Sequence, residues 1–266
     1  MIYRVTYPSG PFLVQGYLGI PDAPFVPPYP AILYCRGGIG RKGMAKTSWI
    51  EDFNQRGVLV IAPFYRGTEG GEGVDEFGGA DVEDTDSALR LMYALAIVDT
   101  TKIAILGFSR GAINAFQTAR TASHTPKLIL WGGVSDVIAT YNERPDLQKT
   151  LRRRLQGHPQ QSALAYQKRS ALYHIPTWSA PTLIVHGTDD VQVAYSHATN
   201  LYEALQQASK NVTLLTLVGY GHHLPAAQHQ AVMDTMTHWL IHDDLRVDIK
   251  RLQSAKLMSS PAKTTT

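Results

Sequence analysis

The chain has 266 residues, of which 44% are hydrophobic and 18% charged, as in an ordinary globular protein. Its formal net charge of +3 is too small and too dispersed to favour a nucleic-acid partner. No apolar run predicts a membrane-spanning helix, the first residues lack the pattern of a signal peptide, and the lone Cys35 excludes an internal disulfide. We therefore expect a cytoplasmic protein without a membrane partner.

Short apolar runs alternate with segments of helical periodicity along the chain. The predicted strands are residues 2–7, 12–20, 31–35, 58–62, 102–107, 127–131, 181–187 and 212–218. The first two are expected to form an antiparallel pair, and Asp81 is expected to cap the helix before the strand at 102–107. Residues 136–175 are more polar and lack strand character, which predicts a small helical insertion.

This alternation predicts an α/β fold with a doubly wound, mostly parallel sheet of about eight strands and helices on both faces. We expect one domain over residues 1–250 and a flexible tail over 251–266, which ends in small and polar residues. Ligands of such sheets bind beyond the carboxyl ends of the strands, so chemistry is expected in the loops that follow them.

The clearest catalytic signal is the pentapeptide Gly-Phe-Ser-Arg-Gly at residues 107–111, which ends a predicted strand and begins a predicted helix. A nucleophile elbow requires that setting, because glycines two residues to either side relieve crowding around a strained serine. The pattern predicts Ser109 as a nucleophile and the amide of Arg110 as an oxyanion donor. The alternative is an ordinary strand-to-helix turn with a capping serine.

An acid and a base follow Ser109 in the order that such a hydrolase needs. A serine hydroxyl needs a base to become a nucleophile, and the base needs a carboxylate to orient it. Asp190 follows the strand at 181–187, and His222 follows the strand at 212–218. All three residues thus lie at the carboxyl ends of predicted strands, which favours a triad of Ser109, His222 and Asp190.

Adjacent residues of the same type leave an alternative for both the acid and the base. The spacing H-G-x-x-D-x-x-V selects Asp190 over Asp189, and the form G-x-G-H selects His222 over His223. His186 ends a buried strand and is expected to have a structural role. No set of His, Cys and Asp residues has the spacing of metal ligands, so neither a metal nor another cofactor is predicted.

The loop after the strand at 31–35 is predicted to supply the second oxyanion donor. It contains Arg36, Gly37 and Gly38, and its glycines let the backbone approach a substrate closely. A turn without substrate contact is the alternative. The candidates for substrate contacts in the pocket are Tyr65, Arg66 and Trp178.

These motifs resemble the catalytic domain of the prolyl oligopeptidase family of serine hydrolases, over roughly residues 10–243. The segments that carry the resemblance are 36–40, 65–68, 107–111, 166–172, 186–193 and 219–222. It implies an α/β-hydrolase fold. Many peptidases of this family carry an N-terminal β-propeller, for which this chain has no room, so a stand-alone domain is expected. Arg36 stands where the family often has His or Tyr, so no side-chain role in the oxyanion site is transferred to it.

The triad and the missing propeller favour a carboxylesterase-like enzyme that acts through an acyl-enzyme intermediate. A prolyl-oligopeptidase-type serine peptidase of short peptides is the alternative among enzymes, and a non-catalytic ligand-binding homologue is the alternative from another class. Serine at position 109 excludes dienelactone hydrolases, which have Cys there, and haloalkane dehalogenases, which have Asp. The expected substrate is a small ester or a short peptide, and an exposed edge strand is compatible with a homodimer.

Overall fold

A mostly parallel sheet forms the centre of the computed structural model, which describes residues 1–40, 43–252 and 255–259. The strands in these ranges are β1 (Ile2–Ser9), β2 (Phe12–Gly19), β3 (Tyr29–Cys35), β4 (Leu59–Pro63), β5 (Val98–Phe108), β6 (Lys127–Trp131), β7 (Thr182–Gly187), β8 (Val212–Leu217) and β9 (Ala255–Ser259). They lie in the order β1-β2-β4-β3-β5-β6-β7-β8-β9. The pairs β1–β2, β2–β4 and β8–β9 are antiparallel, and the other neighbouring pairs are parallel.

Helices cover both faces of the sheet. They are α1 (Thr47–Asn54), α2 (Val82–Ala94), α3 (Gly111–Thr121), α4 (Val137–Glu143), α5 (Pro145–Arg154), α6 (Ala163–Gln167), a 3-10 helix (Ala171–Thr177), α7 (Ser196–Gln207), α8 (Ala226–His242) and α9 (Ile249–Leu252). The helices between β6 and β7 lie where the polar composition of residues 136–175 predicts a helical insertion. Across the described ranges, no helix combines the length and hydrophobicity needed to cross a membrane.

Side chains along the buried strands alternate between two hydrophobic cores, one on each face of the sheet. In β3, Ala31, Leu33 and Cys35 enter the core beneath α2, α3 and α7, whereas Ile32 and Tyr34 enter the core beneath α1 and α8. Because both faces are covered, the parallel strands are continuous apolar runs in the sequence.

The chain changes its winding direction at β3. It passes from β3 to β4 on one side, and later to β5 on the other side of β3. Cys35 at the end of β3 pairs with Gly107 near the end of β5, so the loops that follow these strands leave the sheet side by side. Such a topological switch point is where open α/β sheets bind ligands, and Ser109 follows directly.

Two local predictions differ from the structure. Asp81 precedes α2 but has helical backbone angles, so its side chain does not cap the helix and accepts from amides of the preceding loop. Within the predicted flexible tail, residues 251–252 form the end of α9, and residues 255–259 pair with β8 as an edge strand. The remainder of that prediction, at 253–254 and 260–266, falls outside the described residues.

Candidate active site

Ser109 lies in the turn between β5 and α3, with a left-handed φ of 56°. This backbone angle is costly for a residue with a side chain, so surrounding contacts must maintain it. The Ser109 amide donates to the carbonyl of Trp131 at 3.0 Å, and its carbonyl accepts from the amide of Ala112 at 3.1 Å. A Cβ at Gly111 would overlap the carbonyl of Cys35, so the turn requires glycine there.

His222 and Asp190 form a short hydrogen bond between neighbouring loops. The Nδ1 atom of His222 lies 2.6 Å from Oδ2 of Asp190, and both side chains are buried. His222 lines the same cavity as Ser109. Asp189 is exposed instead and accepts from the hydroxyl of Thr188. The geometry therefore joins Asp190, rather than Asp189, to the histidine.

The Asp190 carboxylate has further donors besides His222. Its Oδ1 accepts from the amides of Gln192 at 2.8 Å and Val193 at 3.0 Å, and Nε2 of His186 lies 3.4 Å from Oδ2. Burial raises the pKa of this carboxyl, but the hydrogen bonds from His186, His222 and Val193 outweigh burial, so the pKa lies well below its ordinary value. Asp190 is therefore ionised at neutral pH and presents a carboxylate to Nδ1 of His222.

Gly132, just after β6, is a site residue that the sequence analysis did not identify. Its φ is 52°, and its Cα faces the pair formed by His222 and Asp190. A Cβ there would lie 3.1 Å from Nδ1 of His222 and 3.4 Å from Oδ2 of Asp190. The missing side chain leaves room for their hydrogen bond. The signal in the sequence is a pair of glycines directly after a predicted strand.

The loop after β3 packs directly on the turn that holds Ser109. A Cβ at Gly37 would lie 3.0 Å from Cβ of Ser109, so glycine permits this close approach. Within residues 1–40, 43–252 and 255–259, the amides of Arg110, Gly37 and Gly38 donate to no other group. Unpaired amides beside the serine are the donors that an oxyanion site needs.

The Arg36 side chain points into the protein rather than into the cleft. It is fully buried and donates to the carbonyl of Phe64 from Nε at 3.0 Å and from Nη2 at 2.7 Å. Its guanidinium also stacks on the ring of Tyr65, 4.7 Å from the centroid. The side chain of Arg36 therefore holds the loop in place, and of the three predicted oxyanion residues in this loop only Gly37 and Gly38 line the cleft over Ser109.

The Arg110 side chain links the turn that holds Ser109 to two other loops. It donates to the Gly38 carbonyl at 3.1 Å, to Asp75 at 2.6 and 3.0 Å, and to Asp81 at 2.9 Å. Burial lowers the pKa of this guanidinium, but the charges of Asp75 and Asp81 raise it more, so Arg110 remains a cation. Sequence reasoning identified the amide of Arg110 but not this ion-pair network, which connects distant parts of the chain.

A cleft of about 460 Å³ opens over Ser109 and His222. Its other walls come from the loop after β3, from Phe77, and from the insertion. Arg144 of the insertion donates to the carbonyl of Gln192 at 2.8 Å, and its guanidinium also pairs with Asp146. The insertion is thus attached to the loop that carries Asp190. We call this space the main cleft.

The three side chains predicted to contact substrate lie outside the main cleft. Tyr65 is buried and donates from its hydroxyl to the carbonyl of Arg36 at 3.1 Å. Arg66 is buried in an ion pair with Asp84 at 2.7 Å. Trp178 is buried and donates from Nε1 to the hydroxyl of Thr182 at 2.9 Å. Each of the three side chains is therefore structural, because its polar atoms bond to other groups of the protein and not to a ligand. In the ranges that the structure covers, no cluster of His, Cys, Asp and Glu is arranged to hold a metal ion.

Fold and site together define a serine hydrolase with the α/β-hydrolase fold. The sequence pattern of the prolyl oligopeptidase family, Peptidase_S9, matches residues 45–243. The chain is 37% identical over 240 residues to the uncharacterized peptidase YtmA of Bacillus subtilis. The matched segment covers 90% of this chain and 93% of that protein. The chain therefore belongs to the prolyl oligopeptidase family, as its motifs predict.

Two further relatives are much longer than this chain. It is 24% identical over 170 residues to inactive dipeptidyl peptidase 10 of Rattus norvegicus, covering 64% of this chain but 20% of that protein. The acylaminoacyl peptidase of Pyrococcus horikoshii has a similar fold, with a TM-score of 0.77 and 16% identity. That comparison covers 96% of this chain and 44% of the solved one. It confirms the predicted α/β-hydrolase fold.

Proposed function

We propose that this protein is a serine peptidase that cleaves short peptides. The observation that carries the proposal is the 2.6 Å contact between His222 and Asp190 beside a cleft that also contains Ser109. Family membership and the similarity to a named peptidase favour peptide substrates over the carboxylic esters that the sequence analysis ranked first. Neither finding supports a carboxylesterase specifically.

The proposed mechanism begins when His222 takes the proton of Ser109, whose oxygen attacks the scissile carbonyl carbon. Negative charge then develops on the carbonyl oxygen, and the amides of Arg110 and of Gly37 or Gly38 donate to it. His222 next gives its proton to the leaving amine, so the carbon–nitrogen bond breaks and an acyl-enzyme remains. Water, activated by His222, releases the acyl group.

The experiment is to treat the protein with a fluorophosphonate probe and to record intact masses for the wild type and for Ser109→Ala. A single adduct on the wild type, missing from Ser109→Ala, is expected. Turnover of Ser109→Ala should fall on the order of a million-fold, as in other serine hydrolases. No adduct on folded wild type would contradict the mechanism and favour a non-catalytic protein, such as the inactive dipeptidyl peptidase 10 to which the chain is similar.

Substrate class is tested in parallel with aminoacyl nitroanilides, short blocked peptides and p-nitrophenyl acetate. A peptidase should cleave the amide bonds with a kcat/KM that exceeds background by many orders of magnitude. Rapid ester turnover without any amide cleavage would overturn the peptidase proposal and restore the esterase interpretation.

A further inference from the structure

A second cavity of about 290 Å³ adjoins the main cleft. We call it the side cavity; it lies between α1 and the beginning of α8 and is lined by Trp49, Trp131 and Leu224 among others. Lys46, His222 and His223 line both spaces. The two cavities therefore meet at the imidazole that is proposed to move the proton.

The location of the side cavity matches the path of a leaving group. An acyl group attached to Ser109 must stay in the main cleft, where the serine and the candidate oxyanion amides lie. The leaving group is bonded to the other side of the same carbonyl and receives its proton from His222. It therefore needs room on the flank of His222, and the side cavity provides that room.

Two charged side chains that line the side cavity, Asp52 and Lys46, differ in whether other groups of the protein pair with them. Asp52 has both carboxylate oxygens occupied, by Nε2 of His229 at 3.2 Å and Nε2 of Gln230 at 2.8 Å. Lys46 is exposed, its Nζ lies 5.3 Å from the Trp49 ring centroid, and no carboxylate in the described ranges lies within ion-pair distance of it. The ammonium at the junction of the cavities is thus available to an anion.

His223 adds a neutral neighbour to this ammonium. Burial, the charge of Lys46 and the proximity of His222 hold the pKa of His223 below its ordinary value. An uncharged imidazole can donate a hydrogen bond to an anion while the positive charge at this site comes from Lys46. The walls formed by Trp49 and Trp131, whose rings stack 4.7 Å apart, are apolar.

We propose that the side cavity binds the leaving group, and that Lys46 recognises a carboxylate at the end of the leaving group that lies away from the scissile bond. In the peptidase proposed above, on which this inference rests, that carboxylate is the free C-terminus of a short substrate. The chemistry is unchanged: the carbon–nitrogen bond breaks, the nitrogen takes the proton of His222, and the new amine departs with its carboxylate. Lys46 is a specificity residue here and takes no part in bond breaking.

The test compares matched substrates that differ only at the end of the leaving group. One pair is a blocked short peptide with a free C-terminus and the same peptide with a C-terminal amide. The second pair is 4-acetoxybenzoate and 4-acetoxybenzamide, which needs no peptidase activity. For each pair the ratio of kcat/KM values, acid over neutral, is measured in the wild type, Lys46→Gln, Lys46→Arg and the surface control Lys102→Gln.

The ratio of kcat/KM values, acid over neutral, should be roughly threefold to fivefold higher in the wild type than in Lys46→Gln at low salt. This is the range of an exposed ion pair. Lys46→Arg and Lys102→Gln should keep the wild-type ratio, and high salt should reduce it. Because each ratio is taken within one variant, a loss of folded protein cancels. A ratio that is equal in wild type and Lys46→Gln overturns the inference.

The two pairs separate this inference from the proposed function. If the peptides are cleaved without any effect of Lys46 on the ratio, the peptidase stands and the Lys46 site fails. If the peptides are not cleaved but the ester ratio depends on Lys46, the anion site stands and the peptidase fails. If neither ester ratio nor peptide ratio responds to Lys46→Gln, the site is rejected whichever substrate is cleaved.

Discussion

The Nη2 atom of Arg110 lies 2.6 Å from Oδ1 of Asp75, and both side chains are almost fully buried. Because Arg110 is the neighbour of Ser109, this ion pair fixes the turn that holds Ser109 against the glycine-rich loop that contains Asp75. The same guanidinium donates to the carbonyl of Gly38, so the loop with the candidate oxyanion amides is held as well. One buried cation thus orients both halves of the proposed oxyanion site.

Asp75→Asn should therefore damage both stability and activity. The substitution keeps the shape of the side chain but removes a negative charge that faces the buried cation, at a cost of about 3 kcal/mol in the free energy of unfolding. Displacement of the amides should lower kcat/KM on the order of 100-fold. Urea unfolding and peptide hydrolysis measure the two effects.

Asp99→Asn, which affects an exposed pair with Lys102, is the control and should cost under about 1 kcal/mol. Equal behaviour of the two variants would refute the bracing role.

Asp190→Asn tests the choice between two adjacent aspartates. The amide cannot stabilise a positive charge on His222 and can present an N–H to its Nδ1, so kcat should fall on the order of 10⁴-fold, as in other triads. Asp189→Asn should stay within a few-fold of the wild type, because Asp189 is exposed and contacts Thr188. Steady-state kinetics on one substrate compare the two. A larger loss in Asp189→Asn would show that the triad assignment is incorrect.

Gly132→Ala separates backbone strain from a clash with the triad. Alanine at a φ of 52° costs roughly 1 kcal/mol, and its Cβ would lie 3.1 Å from Nδ1 of His222, so the imidazole must move. We expect a fall in kcat on the order of 10-fold to 100-fold. Gly219→Ala is the matched control, since Gly219 has a φ of 79° and open space where the Cβ would lie. It should lose stability and keep kcat. Similar kcat values for both variants would argue against a role for Gly132 in the site.

The fold and the proposed triad could be predicted because they depend on patterns that are local in sequence. Parallel strands end at one edge of the sheet, so a residue known to follow a strand is also known to face that edge. Ser109, Asp190 and His222 each follow such a strand, and helical periodicity supplied the remaining order of the elements. The edge strand at 255–259 lay in a polar tail without strand periodicity, which explains why the prediction missed it.

The surroundings of the triad could not be predicted, because they depend on contacts between distant segments. Sequence position suggested that Tyr65 and Arg66 face the substrate, but ion pairs and burial determine their direction. The same limit applies to Arg36, whose fully buried side chain binds the Phe64 carbonyl, a contact between segments that are distant in sequence. Asp81 resembled a helix cap, yet a guanidinium supplied by Arg110 holds it.

His197 connects the insertion to the main fold. Its Nδ1 atom accepts from the amide of Ser135 at 3.2 Å and from that of Asp136 at 3.3 Å, and Nε2 lies 3.2 Å from Glu143. Two amides donating to Nδ1 require that this nitrogen carries no proton, so the imidazole is neutral in the folded protein. Burial lowers the pKa of His197, and Glu143 opposes this shift only in part.

His197→Gln should therefore change how stability depends on pH. The folded pKa is depressed, so the contribution of His197 is fully present above its unfolded pKa of about 6.5 and is lost as pH falls towards the folded pKa. The wild type should lose more of its free energy of unfolding between about pH 7 and pH 5 than His197→Gln, whose side chain does not take up a proton in this range. Urea unfolding at several pH values measures this slope.

His124→Gln, at an exposed position, should keep the wild-type slope. Parallel curves for the wild type and His197→Gln would show that protonation of His197 does not limit the attachment of the insertion.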